Sequence, residues 1–173
     1  GDPFGDLPEA RARELGVDLF RPGPAAQDPL NAALAEATGH VLQRGATDLL
    51  VLHADLPCAT AAELRALIAA HRARWRDDGA ARITLVSDRM GTGTNCLLST
   101  PPGAVAYRFG VDSRQQHRAA ATTAGAAFAE FDADGLRCDI DQPAELAALV
   151  ERSQSPQNGC GEHTTRLLLR LHP

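Results

Sequence analysis

The run Asp88-Arg89-Met90-Gly91-Thr92-Gly93-Thr94-Asn95 packs two glycines, two threonine hydroxyls, an acid and an arginine into eight positions. Glycine admits backbone angles and close approaches that side chains forbid. Successive N–H groups in such a loop form a concave anion site. Gly91, Gly93, Thr94 and Asn95 are therefore candidate binders of a small phosphorylated ligand. A second glycine-bearing segment, Phe109-Gly110-Val111-Asp112-Ser113, leads into a helix. A helix N-terminus attracts phosphate through free N–H groups and its dipole. This adds Gly110 and Ser113 to the candidates, although an ordinary capped helix also explains them.

Two acidic motifs sit where strands should end. In Leu50-Val51-Leu52-His53-Ala54-Asp55-Leu56-Pro57 an apolar run closes on Asp55. Open α/β sheets bind ligands at that edge, and a carboxylate there suits Mg²⁺ bridging to a nucleotide phosphate; it equally suits a turn cap. In Cys138-Asp139-Ile140-Asp141-Gln142-Pro143 the acids alternate. Residues two apart in an extended strand share a face, so Asp139 and Asp141 are candidate metal ligands. Asp141 also reads as a helix-terminal residue. His53 is a weaker candidate base. His117, one turn into the second helix, reads as a ligand contact or, more simply, a surface residue. Asn31 stands at a helix start, where it reads as a contact to a base edge or as part of the helix end. Cys160 and His163 lack the further ligands a zinc site needs. No Walker-type loop, G-x-G-x-x-G or G-x-S-x-G is present.

The elements that must position these residues alternate between helix and strand, which predicts a mostly parallel α/β sheet with helices on both faces. Helices are expected over 8–15, 29–44, 60–76, 113–125 and 143–152. Strands are expected over 17–20, 48–52, 83–86, 96–98 and 135–140. Thr60 with Glu63, and Ser113 with Gln116, have capping-box spacing. An α/β domain normally opens on a strand, whereas this chain opens on Gly1-Asp2-Pro3, a turn. The tail after residue 152 is polar and ends in Leu167-Leu168-Leu169-Arg170-Leu171, read as weakly ordered or as a helix awaiting a partner.

The chain of 173 residues is 44% apolar and carries a formal net charge of −5, and its basic residues are all arginine. It has no basic run or aromatic platform of the kind used on nucleic acid. No apolar stretch reaches the roughly 18 residues of a membrane span. Cys58, Cys96, Cys138 and Cys160 are widely spaced, and without a secretory signal they read as free thiols of a cytoplasmic protein.

Taken in order, Leu30-Asn31-Ala32-Ala33-Leu34, Ala54-Asp55-Leu56-Pro57, the glycine-threonine run with Asn95, Arg108-Phe109-Gly110 with Ser113 and His117, and Asp139-Ile140-Asp141-Gln142-Pro143 resemble the 2-phospho-L-lactate / phosphoenolpyruvate guanylyltransferases of coenzyme F420 biosynthesis. The likeness spans about residues 1–152. It implies a Rossmann-like nucleotidyltransferase fold in a domain of that extent, followed by the 153–173 tail. It also implies transfer of GMP from GTP to the phosphate of a small phosphorylated acid, phosphoenolpyruvate or 2-phospholactate, with release of pyrophosphate. By position, Thr94, Gly110 and Ser113 would hold the acceptor, Asp55 and Asp139 would be the catalytic metal-holding acids, joined by Asp141 around Mg²⁺, and Asn31 would lie near the guanine. A homodimer is compatible with the likeness. Members of that family begin with a strand and a basic loop that grips the triphosphate. The expectation is therefore of a chain lacking its N-terminal strands. The alternatives are a related nucleotidyltransferase with another acceptor, of the molybdopterin type, and a non-catalytic module that binds phosphorylated anions.

Overall fold

The computed structural model describes residues 7–24, 27–74, 79–153 and 160–171. Its elements run α1 (Leu7–Leu15), α2 (Pro29–Gln43), β1 (Leu49–Leu52), α3 (Ala61–Arg74), β2 (Arg82–Val86), β3 (Cys96–Thr100), α4 (Ser113–Ala124), β4 (Ala127–Glu130), a 3₁₀ turn (Gly135–Arg137), α5 (Pro143–Ser153) and α6 (Glu162–Leu171). The strands form one sheet in the order β1-β3-β2-β4. β3 runs antiparallel to both of its neighbours, while β2 and β4 are parallel. Three of the four strands therefore point the same way, and the reversed β3 sits between two of them. The fold is α/β with a mixed sheet, and because β3 is reversed, two of its three ladders are antiparallel.

The side-chain alternation of a strand divides this sheet into two cores. Val51, Ile83, Leu85 and Leu97 face one side, where they meet Val105, Tyr107, Phe109 and Ala121 of α4 and its leading loop, with Leu34 of α2 alongside. Leu50, Val86, Cys96 and Leu98 face the other side and meet Leu56, Leu64, Leu67 and Ile68 on and before α3. Helices thus cover both faces, as the alternating pattern predicts. Burial of Leu67, Ile83, Leu85 and Leu97, all fully enclosed, contributes roughly 1.5–3 kcal/mol per side chain relative to exposure. A third cluster joins Cys58, Cys138, Leu149 of α5 and Leu168 of α6, so the leucine-rich tail is helical and packs on its own chain.

Two expected strands do not form. Residues 17–20 form no strand; Val17, Leu19 and Phe20 remain exposed. Residues 135–140 form the 3₁₀ turn and a loop in place of a strand. Gly135 is wedged so tightly that a Cβ there would lie 2.2 Å from the Cys58 carbonyl oxygen and 2.4 Å from Glu63 Oε2. That crowding fixes a turn where the apolar pattern suggested a strand. The fourth strand is instead Ala127-Phe128-Ala129-Glu130, whose alanines carry little strand propensity. The end of the expected 60–76 helix, residues 75 and 76, lies outside the described residues.

Candidate active site

Four chain segments meet at the edge where β1 and β2 end and β3 begins, and they line a cavity of about 480 Å³. The first is the glycine loop between β2 and β3. Asp88 braces it from within: Oδ1 accepts the Thr92 N–H at 2.8 Å and Oδ2 accepts the Thr92 hydroxyl at 3.2 Å. The Gly91 and Asn95 amides donate to the carbonyls of Asp88 and Val86. The loop therefore satisfies several of its own donors, where the sequence had suggested an open nest of successive N–H groups. Gly93 allows this bracing, because a Cβ there would lie 2.8 Å from Asp88 Oδ2. Gly91 has a positive φ of 74° and lies outside the cavity wall; its carbonyl accepts Arg114 Nη1 at 3.0 Å.

The second segment is Phe109–Ser113. Asp112, with φ of 52°, caps α4 from the left-handed region and makes no side-chain cap bond. The capping box expected between Ser113 and Gln116 does not form. Gln116 donates to the Val111 carbonyl at 2.7 Å, and the Ser113 hydroxyl donates across to Thr94 Oγ1 at 3.1 Å. Both hydroxyls are buried and line the cavity. Arg114 clamps the two loops together: its N–H donates to the Thr92 carbonyl at 3.0 Å, while its guanidinium reaches Gly91 and the Glu130 carboxylate. Glu130 also pairs with Arg118.

Asn31 stands behind this segment. Its Oδ1 accepts the Phe109 N–H and its Nδ2 donates to the Phe109 carbonyl, both at 2.9 Å, and Nδ2 also donates to the Asp28 carboxylate. Leu30, and not Asn31, lines the cavity. With its amide bonded to Phe109, Asn31 braces the loop. His117 is fully buried rather than on the surface, and its ring sits edge-on to Phe109 at 4.8 Å. His53 lines the cavity, and its ring centroid lies 5.2 Å from that of Phe109.

The other two segments carry the acids: Asp55 lies between β1 and α3, and Asp139 and Asp141 lie between the 3₁₀ turn and α5. Asp55, Asp139 and Asp141 all line the cavity. Asn95 is buried, and its Nδ2 donates to the Leu136 carbonyl at 3.2 Å and to Asp139 Oδ1 at 3.3 Å. Its amide therefore bridges the 3₁₀ turn to Asp139. The Asp141 and Gln142 amides donate to Glu145 Oε2, which starts α5. The Asp141 carboxyl is raised above its ordinary range, first by partial desolvation and then by Asp139, Asp55 and Glu145, with His53 opposing. Among the described residues, Asp88 and Asp112 bring the aspartates in the wall to five, and no arginine joins them.

That imbalance tests whether a cation fits. A phosphorylated ligand would face uncompensated carboxylates, so a divalent ion is the natural neutraliser. Among the described residues no three His, Cys, Asp or Glu side chains are gathered as a ready-made metal cage. Mg²⁺ does not need one, because it is usually held by one or two carboxylates together with substrate phosphates. The donor set therefore fits. Cys160 lies 3.4 Å from Cys58, sulfur to sulfur, away from this wall.

Comparison with known proteins decides the family. The chain is 34% identical over 164 residues to a phosphoenolpyruvate guanylyltransferase of Conexibacter woesei, covering 95% of this chain and 71% of that relative. It is 37% identical over 164 residues to one of Mycobacterium leprae, covering 94% and 67%. It is 37% identical over 148 residues to one of Sphaerobacter thermophilus, covering 86% and 66%. The chain belongs to the phosphoenolpyruvate guanylyltransferase family. It spans about two thirds of the length of these relatives. No family model matches it.

Set in this family, the cavity gathers most of the residues singled out in the sequence: Asp55, Gly93, Thr94, Asn95, Gly110, Ser113, Asp139 and Asp141. It leaves out Gly91 and Asn31. The braces Asp88 and Arg114 went unrecognised. Asp88 was legible, since an acid four residues before Thr92 at a glycine turn is the spacing of a side-chain-to-backbone bond. Arg114 had no local signal.

Proposed function

We propose that the cavity is the acceptor half of a guanylyl-transfer site, in which a phosphate oxygen of phosphoenolpyruvate, or of 2-phospholactate, attacks the α-phosphorus of GTP. The new P–O bond forms as the bond to the β-phosphate's bridging oxygen breaks, and pyrophosphate leaves. The observation that carries this reading is the meeting of two buried hydroxyls, Thr94 and Ser113, with Asp55 and Asp139 across one cavity. Hydroxyl donors and the start of α4 suit the acceptor phosphate, and Gly110 leaves room beside them. Asp55 and Asp139 would hold Mg²⁺, with Asp141 alongside. The ion would supply the positive charge that this acidic wall lacks. The chain's own contribution is positioning: it fixes the acceptor's oxygen and leaves little covalent work to side chains. On this reading the reaction would belong to coenzyme F420 biosynthesis, as the sequence resemblance implies.

The test is pyrophosphate release by this chain from GTP with Mg²⁺ and either acid, in wild type and in Asp55→Asn. Release that requires an acceptor and falls at least about a hundredfold in Asp55→Asn, a loss of roughly 2.7 kcal/mol of transition-state stabilisation, supports the reading. Release that survives the substitution removes Asp55 from the metal site. Release with no dependence on either acid removes these acceptors.

A further inference from the structure

We propose that His117 is a positioning residue that turns a hydroxyl proton of the Thr94–Ser113 pair toward the acceptor's phosphate; the inference rests on the functional reading above. The argument starts from the Arg108 backbone. Its N–H donates to His117 Nε2 at 3.0 Å, and a backbone N–H can only donate. Nε2 therefore carries the lone pair, and the proton of the neutral ring sits on Nδ1. Nδ1 lies 3.1 Å from Thr94 Oγ1; carrying the ring proton, it cannot accept from that hydroxyl.

Two hydroxyl protons then remain for one Thr94–Ser113 contact of 3.1 Å. One proton makes the contact. The other cannot go to His117 and is left for the cavity both hydroxyls line. With the opposite tautomer, Thr94 would donate to His117, Ser113 would donate to Thr94, and the cavity would meet only lone pairs. Such a surface repels phosphate. The Arg108 amide thus sets the polarity of a relay that ends at the ligand.

The surroundings hold that choice in place. His117 is fully enclosed, and the Phe109 ring packs edge-on against it at 4.8 Å, which opposes a ring flip. Burial is the main cause that lowers its pKa, to about 4, against a raising hydrogen bond to the Ser113 backbone. The ring is therefore neutral at neutral pH.

Two measurements test this. The first is ¹⁵N NMR of the His117 ring in the wild-type protein at pH 7, which should show the Nδ1–H tautomer. The second compares phosphoenolpyruvate affinity by calorimetry, with Mg²⁺ present, in His117→Asn and His117→Gln. Asn places an amide N–H where Nδ1 sits and keeps a donor there. Gln places a carbonyl oxygen where Nε2 sits and keeps only the Arg108 contact. The relay predicts that Gln weakens binding about tenfold or more, while Asn stays within about threefold of wild type. A purely structural role would make both variants lose affinity in step with their stability. Equal losses, unchanged affinity in Gln, or an Nε2–H tautomer would overturn the relay alone. A wild-type protein that binds no phosphoenolpyruvate would overturn the functional reading and the relay with it.

Discussion

Replacing Asn31 by Ala separates a loop brace from a base contact. The side chain makes two bonds to one residue, accepting from the Phe109 N–H and donating to its carbonyl, each at 2.9 Å and part-buried. Its contact to Asp28 is exposed and adds little. Each of the two lost bonds is worth about 1 kcal/mol net, with somewhat more where a backbone group stays dry. The expected cost is therefore about 2 kcal/mol. For a domain of this size that lowers Tm by about 4–8 °C. Urea denaturation gives the free energy, and a thermal melt gives the shift. Because Phe109 and Gly110 line the cavity, the KM for the acceptor should rise while that for the nucleotide holds. A variant that keeps its stability within about 0.5 kcal/mol of wild type and raises only the nucleotide KM would refute the reasoning and return Asn31 to the guanine.

Other predictions follow from the same geometry. Gly135→Ala forces a Cβ to within 2.2 Å of the Cys58 carbonyl oxygen and should cost about 3 kcal/mol or more by urea denaturation; a near-neutral result would mean that the 3₁₀ turn is placed wrongly. His117 is held near pKa 4 in the folded state, below the ordinary histidine value of 6.5. The unfolded chain therefore binds the extra proton between those values, and stability contributed by the neutral ring is lost as pH falls from about 6.5 toward 4. The slope of stability against pH in that window should flatten in His117→Phe. Cys96, fully buried with its pKa pushed up to about 12, should resist a thiol reagent at pH 8 until the protein unfolds, which a timed mass-spectrometric count of labelled thiols would show.

How much of this was legible in the sequence depends on whether the signal is local. The Thr60–Glu63 capping box is complete within four residues, and it forms as read: the Thr60 N–H donates to Glu63 Oε2 at 3.0 Å and the Glu63 N–H to Thr60 Oγ1 at 3.1 Å. The same spacing at Ser113–Gln116 fails because the helix is capped one residue earlier: the Gln116 N–H goes to the Asp112 carbonyl, and the serine hydroxyl donates to distant Thr94. Asn31 is a similar case, its amide held by Phe109, 78 positions along the chain. Leu50-Val51-Leu52 announced a buried strand through continuous apolarity. β4 did not, since Ala127 and Ala129 gain their place only through parallel pairing with Arg82 and Thr84. Strand direction was also out of reach, because the reversal of β3 follows from the tightness of the Asp88-braced loop. The cavity acids Asp55 and Asp139 were found because strand-end position is itself a local signal, even though Asp139 ends a turn and not a strand.

The central claim is that the cavity between the glycine loop and α4 takes the acceptor's phosphate through Thr94 and Ser113. Calorimetric titration of phosphoenolpyruvate into the wild-type chain and into Thr94→Val/Ser113→Ala, with Mg²⁺ present, tests it most directly. The account predicts binding by the wild type that weakens at least about tenfold in the double variant, the loss of one charge-assisted bond or more, with the melting curve of the folded protein still cooperative. Equal affinity in the two proteins would contradict it.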